Sequence, residues 1–350
     1  MRGIAVADTP TSDIAVELRG AWKTYYQRQR PDSVGETFRS ILRPKTKKIE
    51  ALRGVDLLIR RGEIVAYAGP NGAGKSTTIK LMSGLMVPDR GSVIALGMQP
   101  AKDRVKYVGR IAVVFGQRTE LWWDHSVGAS FRWKKATWGI PDDVYEIHRD
   151  QLIEQFDLDP IWKTLARELS LGQRMRADLA LALLHDPELV LLDEPTLGLD
   201  VIARDRMLDW IKHLNTDEGK TILITSHSMS DLERLDARVV MLNNGAIRFD
   251  GSFASLRKSV ADRRILSVTT DVEVAPILSG AALSKSDGRR HDYAFDASTV
   301  SVVALLDELS TACNVTDIQT STSTIDDVVS EVYRRMSGSQ HRMNQEGSGP

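Results

Sequence analysis

One nine-residue stretch, GPNGAGKST at positions 69–77, constrains the fold more than any other part of the chain. Its three glycines let the backbone curl tightly enough to point successive N–H groups inward, and a helix that follows offers its positive N-terminus to the same anion. Residues 63–68 before it have the apolar pattern of a buried strand, and residues 78–83 after it have a helical pattern. Strand, loop and helix in this order predict a P-loop that holds the phosphates of a nucleotide.

Each residue of this loop is a candidate contact to the nucleotide: Gly69, Pro70, Asn71, Gly72, Ala73, Gly74, Lys75, Ser76 and Thr77. Lys75 has the length to reach the β- and γ-phosphates, and Ser76 offers a hydroxyl ligand to Mg²⁺. Thr77 adds a further phosphate contact. The structural alternative is a glycine-rich turn without a ligand, and the flanking strand and helix favour the P-loop.

A second motif narrows the chemistry. Residues 189–192 are continuously apolar, as in a buried parallel strand, and two carboxylates follow directly, Asp193 and Glu194. Such a strand delivers Asp193 to a Mg²⁺ beside the P-loop, and Glu194 is placed to orient and polarise an attacking water. The sequence therefore predicts a Walker B element, with a simple strand-ending turn as the alternative.

The composition fits a cytoplasmic protein. The 350 residues have a formal net charge of −1 and a hydrophobic content of 42%, which suits one large domain with a smaller one. The longest apolar runs are too short to cross a bilayer, and residues 1–13 lack the hydrophobic core of a signal sequence. A single cysteine, Cys313, excludes an internal disulfide, and the balanced charge gives no indication of nucleic-acid binding.

The N-terminal region has two contrasting parts. Residues 14–19 alternate like an edge strand and residues 20–26 follow as a turn with aromatic side chains. Residues 27–48 carry seven basic side chains against two acidic ones, which predicts a basic surface excursion between two strands. A solvated loop and a contact with a membrane or partner both remain open for it.

The middle of the chain has the pattern of an α/β fold. Strands are expected at 50–60, 93–96, 111–115, 189–192 and 221–225, a helix at 203–214, and an Asn-Gly hairpin over 238–250. Residues 119–167 are helical and aromatic, which predicts an inserted helical subdomain. Most of its four tryptophans are expected in the core, with Trp122 and Trp123 open to an interface role.

The C-terminal part predicts a smaller α/β domain. A helical connector is expected at 252–264, strands at 265–274, 292–296 and 314–319, and helices at 299–310 and after a cap at Thr324. The polar residues 337–350 have the composition of a disordered tail. The predicted organisation is a flexible N-terminus at 1–13, a main domain at 14–251, an accessory domain at 252–336 and the tail.

Residues 169–173, LSLGQ, lie between the helical region and Walker B. They resemble the signature motif of ATP-binding cassette (ABC) proteins, with Leu171 in place of a glycine. The residues that match the functional serine, second glycine and glutamine are Ser170, Gly172 and Gln173. Ser170 and the Gly172 backbone are expected to form a second anion site at the start of a helix expected at 173–184. The resemblance implies a P-loop NTPase (RecA-like) core with an antiparallel β edge. It also implies a head-to-tail pair in which each P-loop faces the partner's signature motif.

Further residues match the marks of the ABC family. Gln117 corresponds to the Q-loop glutamine, a Mg²⁺ and water contact, and His227 corresponds to the switch histidine that contacts the γ-phosphate. Gly198, Leu199 and Asp200 resemble the D-loop, in which Asp200 crosses the dimer. Tyr25 resembles the aromatic residue that stacks on adenine, with Tyr26 as the neighbouring alternative. The resemblance thus implies ATP and Mg²⁺ as cofactors, and Lys75, Gln117, Glu194 and His227 as the catalytic set.

Residues 113–124 resemble those of stand-alone ATPase subunits of bacterial type-2 ABC exporters, whose permease is a separate polypeptide. This resemblance implies a homodimer or paired ATPase subunit, bound to integral membrane permease subunits on the cytoplasmic face. A soluble ABC ATPase acting on ribosomes or nucleic acid is the main alternative. The single cassette, and the short distance from Gln117 to Leu169, favour transport. A catalytically inactive regulator conflicts with the presence of Lys75, Asp193, Glu194 and His227.

Overall fold

A computed structural model describes residues 13–28, 46–116, 118–259, 263–297, 299–322, 325–329 and 332–333. Residues 1–12, most of the basic segment, Gln117, Thr324 and the expected tail at 337–350 lie outside the described residues. Within the described part, no helix combines the length and apolar character needed to cross a membrane.

The described chain divides into two compact units. The first extends to His227 and resumes over Arg234–Asp250, and the second combines Ser228–Glu233 with the residues from Gly251 onward. The first unit contains the following strands: β1 (Ile14–Arg28), β2 (Thr46–Arg60), β3 (Ile64–Ala68), β4 (Arg90–Ala95), β5 (Ile111–Phe115), β6 (Leu189–Asp193), β7 (Thr221–Thr225), β8 (Arg238–Asn243) and β9 (Ala246–Gly251). Its helices are α1 (Lys75–Met82), α2 (Arg104–Val108), α3 (Val127–Trp138), α4 (Asp142–Gln155), α5 (Leu171–Leu183) and α6 (Val201–Thr216), and α7 (Met229–Arg234) lies at the boundary.

The described strands of the first unit form two sheets. One has the order β5-β6-β7-β3-β8-β9, and its pairs from β5 to β8 are parallel. The other has the order β2-β1-β4 and is antiparallel. The side chains of β3 and β7 are buried along their whole length, because strands covered on both faces need continuous apolar sequence. This architecture confirms the predicted α/β class with an antiparallel edge.

The expected turn at residues 20–26 is wrong, because β1 continues to Arg28. The strand passes Gly20 with a positive φ of 52°, and its register with β2 shifts between Leu18 and Ala21. Asp56 Oδ1 accepts a 2.7 Å hydrogen bond from the Gly20 N–H at this irregularity. A bulge therefore replaces the turn, and the flanks of the basic segment pair as strands, with Tyr26 opposite Lys48.

The helices that follow the signature motif and the D-loop both begin earlier than expected. Ser170 caps α5, so this helix starts at Leu171 rather than residue 173, and Asp200 caps α6, so that helix starts at Val201 rather than residue 203. Each cap side chain accepts a hydrogen bond from the backbone N–H three residues later, which satisfies a donor that the helix cannot. Apolar periodicity marked the buried faces of these helices and left out their first turns, in which no residue is buried.

The helical subdomain contradicts the expectation that most of its four clustered tryptophans are buried. Trp122, Trp123, Trp133 and Trp138 are 45%, 52%, 48% and 40% exposed. Its interior is filled instead by smaller side chains and by other aromatics: Leu121, Val127, Phe131, Tyr145, Leu152, Phe156, Leu158 and Ile161.

The second unit contains the strands β10 (Arg263–Thr270), β11 (Ala281–Asp287), β12 (Arg290–Asp296) and β13 (Val315–Thr322) and the helices α8 (Phe253–Ser259) and α9 (Val302–Ala312). Its described strands form one sheet in the order β11-β12-β10-β13. A core of Leu266, Val268, Tyr293, Phe295, Leu305 and Leu309 joins the sheet to α9. The sequence did not predict β11, because this edge strand is largely exposed and lacks apolar alternation. The expected strand at 265–274 ends at Thr270.

Two glycines with similar backbone angles provide a test of the contact between β1 and β4. A Cβ on Gly91, which has φ 81°, would lie 2.1 Å from the Gly20 carbonyl oxygen, whereas Gly97, with φ 74°, has open space around its missing Cβ. We expect Gly97→Ala to cost about 1–2 kcal/mol from the left-handed conformation alone. Gly91→Ala should cost several times more, because the backbone of β1 must move. Thermal unfolding followed by circular dichroism measures both, and equal losses would contradict the close approach.

Candidate functional site

The P-loop joins the buried strand β3 to α1. Gly74 is the N-cap of α1, with a φ of 114°, and a Cβ there would lie 2.5 Å from the Ala51 carbonyl oxygen. Likewise, a Cβ on Gly69 would lie 2.5 Å from the Leu242 carbonyl oxygen. These contacts explain why the loop has glycine at both positions, since only glycine allows the backbone to pass so close to its neighbours.

Lys75 lies inside this loop. Its ammonium group donates to the Gly69 carbonyl over 2.7 Å and to the Pro70 carbonyl over 3.4 Å, and the residue is 6% exposed. Burial lowers the pKa of Lys75, and the negative charges of Glu194 and Asp193 act in the opposite direction. A buried cation that is only partly compensated is a strong attractor for phosphate.

A cavity of about 350 Å³ lies beside the P-loop. It is lined by Ser76, Lys80, Leu85, Phe115, Gly116, Arg118, Asp193 and Glu194. The structure therefore brings the Ser76 hydroxyl together with both Walker B carboxylates. Hydroxyl and carboxylate oxygens are the ligands that Mg²⁺ prefers in proteins, so this donor set fits that cation. Gln117, the other residue assigned to Mg²⁺, lies outside the described residues, between Gly116 and Arg118 of the lining.

Tyr25, rather than Tyr26, is next to the P-loop. The Tyr25 hydroxyl lies 3.3 Å from Thr77 Oγ1 and donates to Met86 Sδ over 3.1 Å. Tyr26 is 69% exposed and pairs across the sheet with Lys48. Successive residues of a strand point to opposite faces, so only one of the two tyrosines reaches the loop. The adenine-stacking role of Tyr25 stays a prediction that this position supports.

The Walker B carboxylates lie at the end of β6, beside the end of β7. Glu194 has a positive φ of 58°, which is rare for a residue with a side chain. Its Oε1 lies 2.7 Å from Nε2 of His227, so these two predicted residues are in direct contact. Thr225 Oγ1 donates to Asp193 Oδ1 over 2.7 Å. The sequence analysis missed Thr225, although a hydroxyl that ends the strand next to Walker B was a usable signal.

The signature residues form the first turn of α5. Ser170 Oγ accepts from the Gln173 N–H, and Gln173 Oε1 accepts from the Ser170 N–H over 2.9 Å, which makes a reciprocal capping box. A Cβ added to Gly198 would lie 2.9 Å from Leu171 Cδ2, and a Cβ added to Gly172 would lie 3.1 Å from Ala203 Cβ. Leu171 therefore packs the signature motif onto the D-loop.

The structure does not bring the two predicted half-sites together within the chain. Of the described residues, those that line the cavity beside the P-loop do not include Ser170, Gly172 or Gln173. Asp200 is likewise engaged elsewhere, since its Oδ1 accepts from the Ala203 N–H over 2.9 Å. The signature turn is thus separate from the cavity beside the P-loop of its own chain.

Asp178 is a buried acid that the sequence analysis also missed. It lies on α5, is 3% exposed, and its Oδ1 accepts from Thr119 Oγ1 at 2.8 Å and from the Glu120 N–H at 2.9 Å. Its Oδ2 has no hydrogen-bond partner among the described residues. Burial raises the pKa of Asp178 to about 6, against the opposing effect of these hydrogen bonds. This carboxylate fixes the segment that begins two residues after Gln117.

Known proteins resemble the chain over the region that contains these motifs. The ABC transporter family matches residues 52–197. The ABC transporter ATP-binding protein NatA of Bacillus subtilis is 31% identical over 215 residues, which are 61% of this chain and 87% of that protein. The chain belongs to the ABC transporter family of ATP-binding proteins.

Other ABC proteins show the same relationship. An energy-coupling factor transporter ATP-binding protein of Clostridium perfringens is 32% identical over 64% of this chain and 81% of its own length. ABC transporter A family member 1 of Dictyostelium discoideum is 29% identical over 65% of this chain, but that region is only 26% of the larger protein.

A solved ATP-binding subunit of an ABC transporter matches with a TM-score of 0.57 at 26% identity, covering 70% of this chain and 92% of that one. The α/β fold is therefore that of an ABC cassette, an ATPase that binds ATP. ABC cassettes dimerise and work with membrane permease subunits.

The raised pKa of Asp178 predicts how stability depends on pH. Because burial raises it from an ordinary value of 3.8 to about 6, the folded protein binds the additional proton and stability falls as pH rises through this range. Asp178→Asn keeps an acceptor oxygen but cannot titrate. We expect the free energy of unfolding of Asp178→Asn, minus that of the original chain, to increase by up to about 3 kcal/mol as pH rises from about 4 to 7.

Thermal melts of the two proteins across this pH range measure the effect. The exposed Glu146→Gln on α4 is a control, which should keep a constant difference from the original chain. A constant difference for Asp178→Asn as well would show that folding does not raise the pKa of Asp178.

Proposed function

We propose that this chain is the ATP-hydrolysing subunit of an ABC exporter and that it drives a separate membrane permease by ATP-dependent dimerisation. The observation that carries the ATPase part is the contact of Glu194 with His227 at the end of β6, with Asp193 and Ser76 lining the same cavity. The export direction is taken from the resemblance of residues 113–124 to the ATPases of type-2 exporters.

The residues of the P-loop and of Walker B divide the chemistry between them. Lys75 places a positive charge against the β- and γ-phosphates, and the inward N–H groups of the loop hold them. Glu194 orients the attacking water and accepts its proton, while His227 contacts the γ-phosphate and steadies Glu194. Ser76, Gln117 and Asp193 would hold Mg²⁺, which when bound balances phosphate charge. Tyr25 stacks on the adenine.

The separation of the two half-sites supports a dimeric mechanism. Ser170, Gly172 and Gln173 lie outside the cavity of their own P-loop, so they complete the ATP site of a second protomer. Asp200, at the start of α6 next to the signature turn, crosses the same interface. ATP held between both surfaces draws the protomers together, and hydrolysis removes the bridging γ-phosphate and allows them to separate.

We assign the permease contact to the tryptophan face, which consists of Trp122, Trp123, His125 and Trp133. Trp122 stacks on Trp133 with 4.4 Å between ring centroids, and His125 packs against Trp122 edge-on at 5.6 Å. Arg174 lies over Trp123 at 5.9 Å. All four side chains are exposed, and exposed stacked aromatics beside a cation have the composition of protein interfaces. The proposed location is thus the cytoplasmic face of a membrane.

The role of Glu194 is tested by Glu194→Gln. The amide cannot accept the proton of the attacking water, so we expect turnover to fall by at least about 100-fold while ATP still binds. ATP should then hold the variant as a dimer in size-exclusion chromatography. The exposed Glu154→Gln on α4 is the control and should hydrolyse ATP normally. Unchanged turnover in Glu194→Gln would exclude Glu194 from catalysis.

The transport role is tested by purification from detergent-solubilised membranes of the source cell. Tagged Glu194→Gln protein with ATP should recover a multi-span membrane protein. Adding Trp122→Ala and Trp133→Ala should abolish this recovery, while the exposed Ile147→Ala of α4 should preserve it. Recovery of ribosomes or nucleic acid, with the protein wholly in the soluble fraction, would favour a soluble ABC ATPase instead.

A further inference from the structure

Thr225 occupies a central position at the site although it belongs to none of the motifs predicted from the sequence. It is the last residue of β7, its side chain is fully buried at 0% exposure, and it pairs directly with Asp193 across the parallel ladder. This register brings its hydroxyl between the side chain of one Walker B carboxylate and the backbone of the other.

The hydroxyl makes two hydrogen bonds of opposite sense. Thr225 Oγ1 donates to Asp193 Oδ1 over 2.7 Å and accepts from the Glu194 N–H over 3.0 Å. A hydroxyl has one proton, so both bonds form together only when that proton points at Asp193. The bond to the carboxylate is charge-assisted and correspondingly strong. One buried group therefore fixes the Asp193 side chain and the Glu194 backbone at the same time.

Glu194 needs such support because its backbone is strained. A φ of 58° costs a residue with a side chain on the order of 1–2 kcal/mol, which the surroundings must offset. The Glu194 N–H is bound both by Thr225 Oγ1 at 3.0 Å and by the Thr225 carbonyl at 3.2 Å. On the opposite side, Gly116 leaves no room for a side chain, because a Cβ there would lie 2.3 Å from the Glu194 carbonyl oxygen.

The same short segment also holds the carboxylate of Glu194. His227 follows Thr225 by two residues, and its Nε2 lies 2.7 Å from Glu194 Oε1. Thr225 thus anchors the backbone of Glu194 while His227 contacts the tip of its side chain. The orientation of the Glu194 side chain is therefore set at its backbone by Thr225 and at its carboxylate by His227.

We propose that Thr225 is a positioning residue for ATP hydrolysis, which acts through Asp193 and Glu194 without touching the nucleotide. The inference rests on the catalytic roles proposed above for these two carboxylates. Loss of the hydroxyl should leave the strand and the P-loop in place, because valine has the same shape and favours strands. It should release the Asp193 side chain and weaken the strained conformation of Glu194.

The test compares Thr225→Val, which removes the hydroxyl, with Thr225→Ser, which retains it. Loss of a hydrogen bond to a charged group should lower the kcat of Thr225→Val by about 10–100-fold. Its KM for ATP, and its binding of a fluorescent ATP analogue without Mg²⁺, should stay within about 3-fold, since the P-loop is unchanged. Thr225→Ser should recover most of the kcat.

Thr221→Val provides a matched control at the opposite end of β7. Thr221 is 2% exposed and its hydroxyl accepts from the Gly62 N–H over 3.0 Å, so its removal costs a buried hydrogen bond far from the carboxylates. This variant should lose thermal stability and keep its kcat. If Thr225→Val does not fold, Thr225→Ser is compared with Thr225→Cys instead. The two side chains are similar in shape, and only serine has the hydroxyl.

Three results would overturn the proposal: a kcat of Thr225→Val within about 2-fold of the original chain, an equal loss in Thr225→Ser, or an equal loss in Thr221→Val. Failure of the proposed catalytic site is a different outcome, because it appears as unchanged turnover in Glu194→Gln. A normal Thr225→Val beside an inactive Glu194→Gln would therefore reject the role of Thr225 alone.

Discussion

The parallel pairing of β3, β6 and β7 is the constraint on which the site depends. In register, Asp193 is opposite Thr225, and both strands end at the edge of the sheet where β3 runs into the P-loop. Parallel strands place their carboxyl ends together, so residues far apart in sequence meet there. The apolar interior of these strands therefore determines the relative positions of Lys75, Asp193, Glu194 and His227 before any ligand binds.

The charges in this arrangement are balanced incompletely. Lys75 is buried near two carboxylates, and its pKa is lowered because burial outweighs their attraction. Asp193 in turn accepts a hydrogen bond from the buried hydroxyl of Thr225. A site with a buried cation on one side and fixed carboxylates on the other separates positive and negative charge. Phosphate oxygens suit the first, and a divalent cation would suit the second, so a nucleotide and its metal would complement different parts of one site.

The sequence alone was sufficient to predict the features that short continuous segments encode. The P-loop, the Walker B strand and the signature turn are each continuous, and the chain at each position has the strand or helix that the pattern predicts. Features that depend on pairing between distant segments were missed. Thr225 and Asp178 acquire their contacts through sheet register and helix packing, the bulge at Gly20 depends on Asp56, and β11 exists because β12 provides its partner. The prediction that most tryptophans of the helical subdomain are buried was wrong for a related reason, since hydrophobicity alone does not distinguish a core residue from an exposed one.

The departure of the signature motif from the family pattern also has a structural explanation. Leu171 occupies a position where the family has glycine, and its side chain lies against Gly198, which has no side chain of its own and a φ of 76°. The leucine therefore fills space that the D-loop glycine leaves, while Ser170 and Gln173 keep their reciprocal cap. Because the side chain is directed toward the D-loop, it does not obstruct the anion-facing first turn of α5. Leu171 therefore adds a packing contact between two motifs that are expected at the same dimer interface.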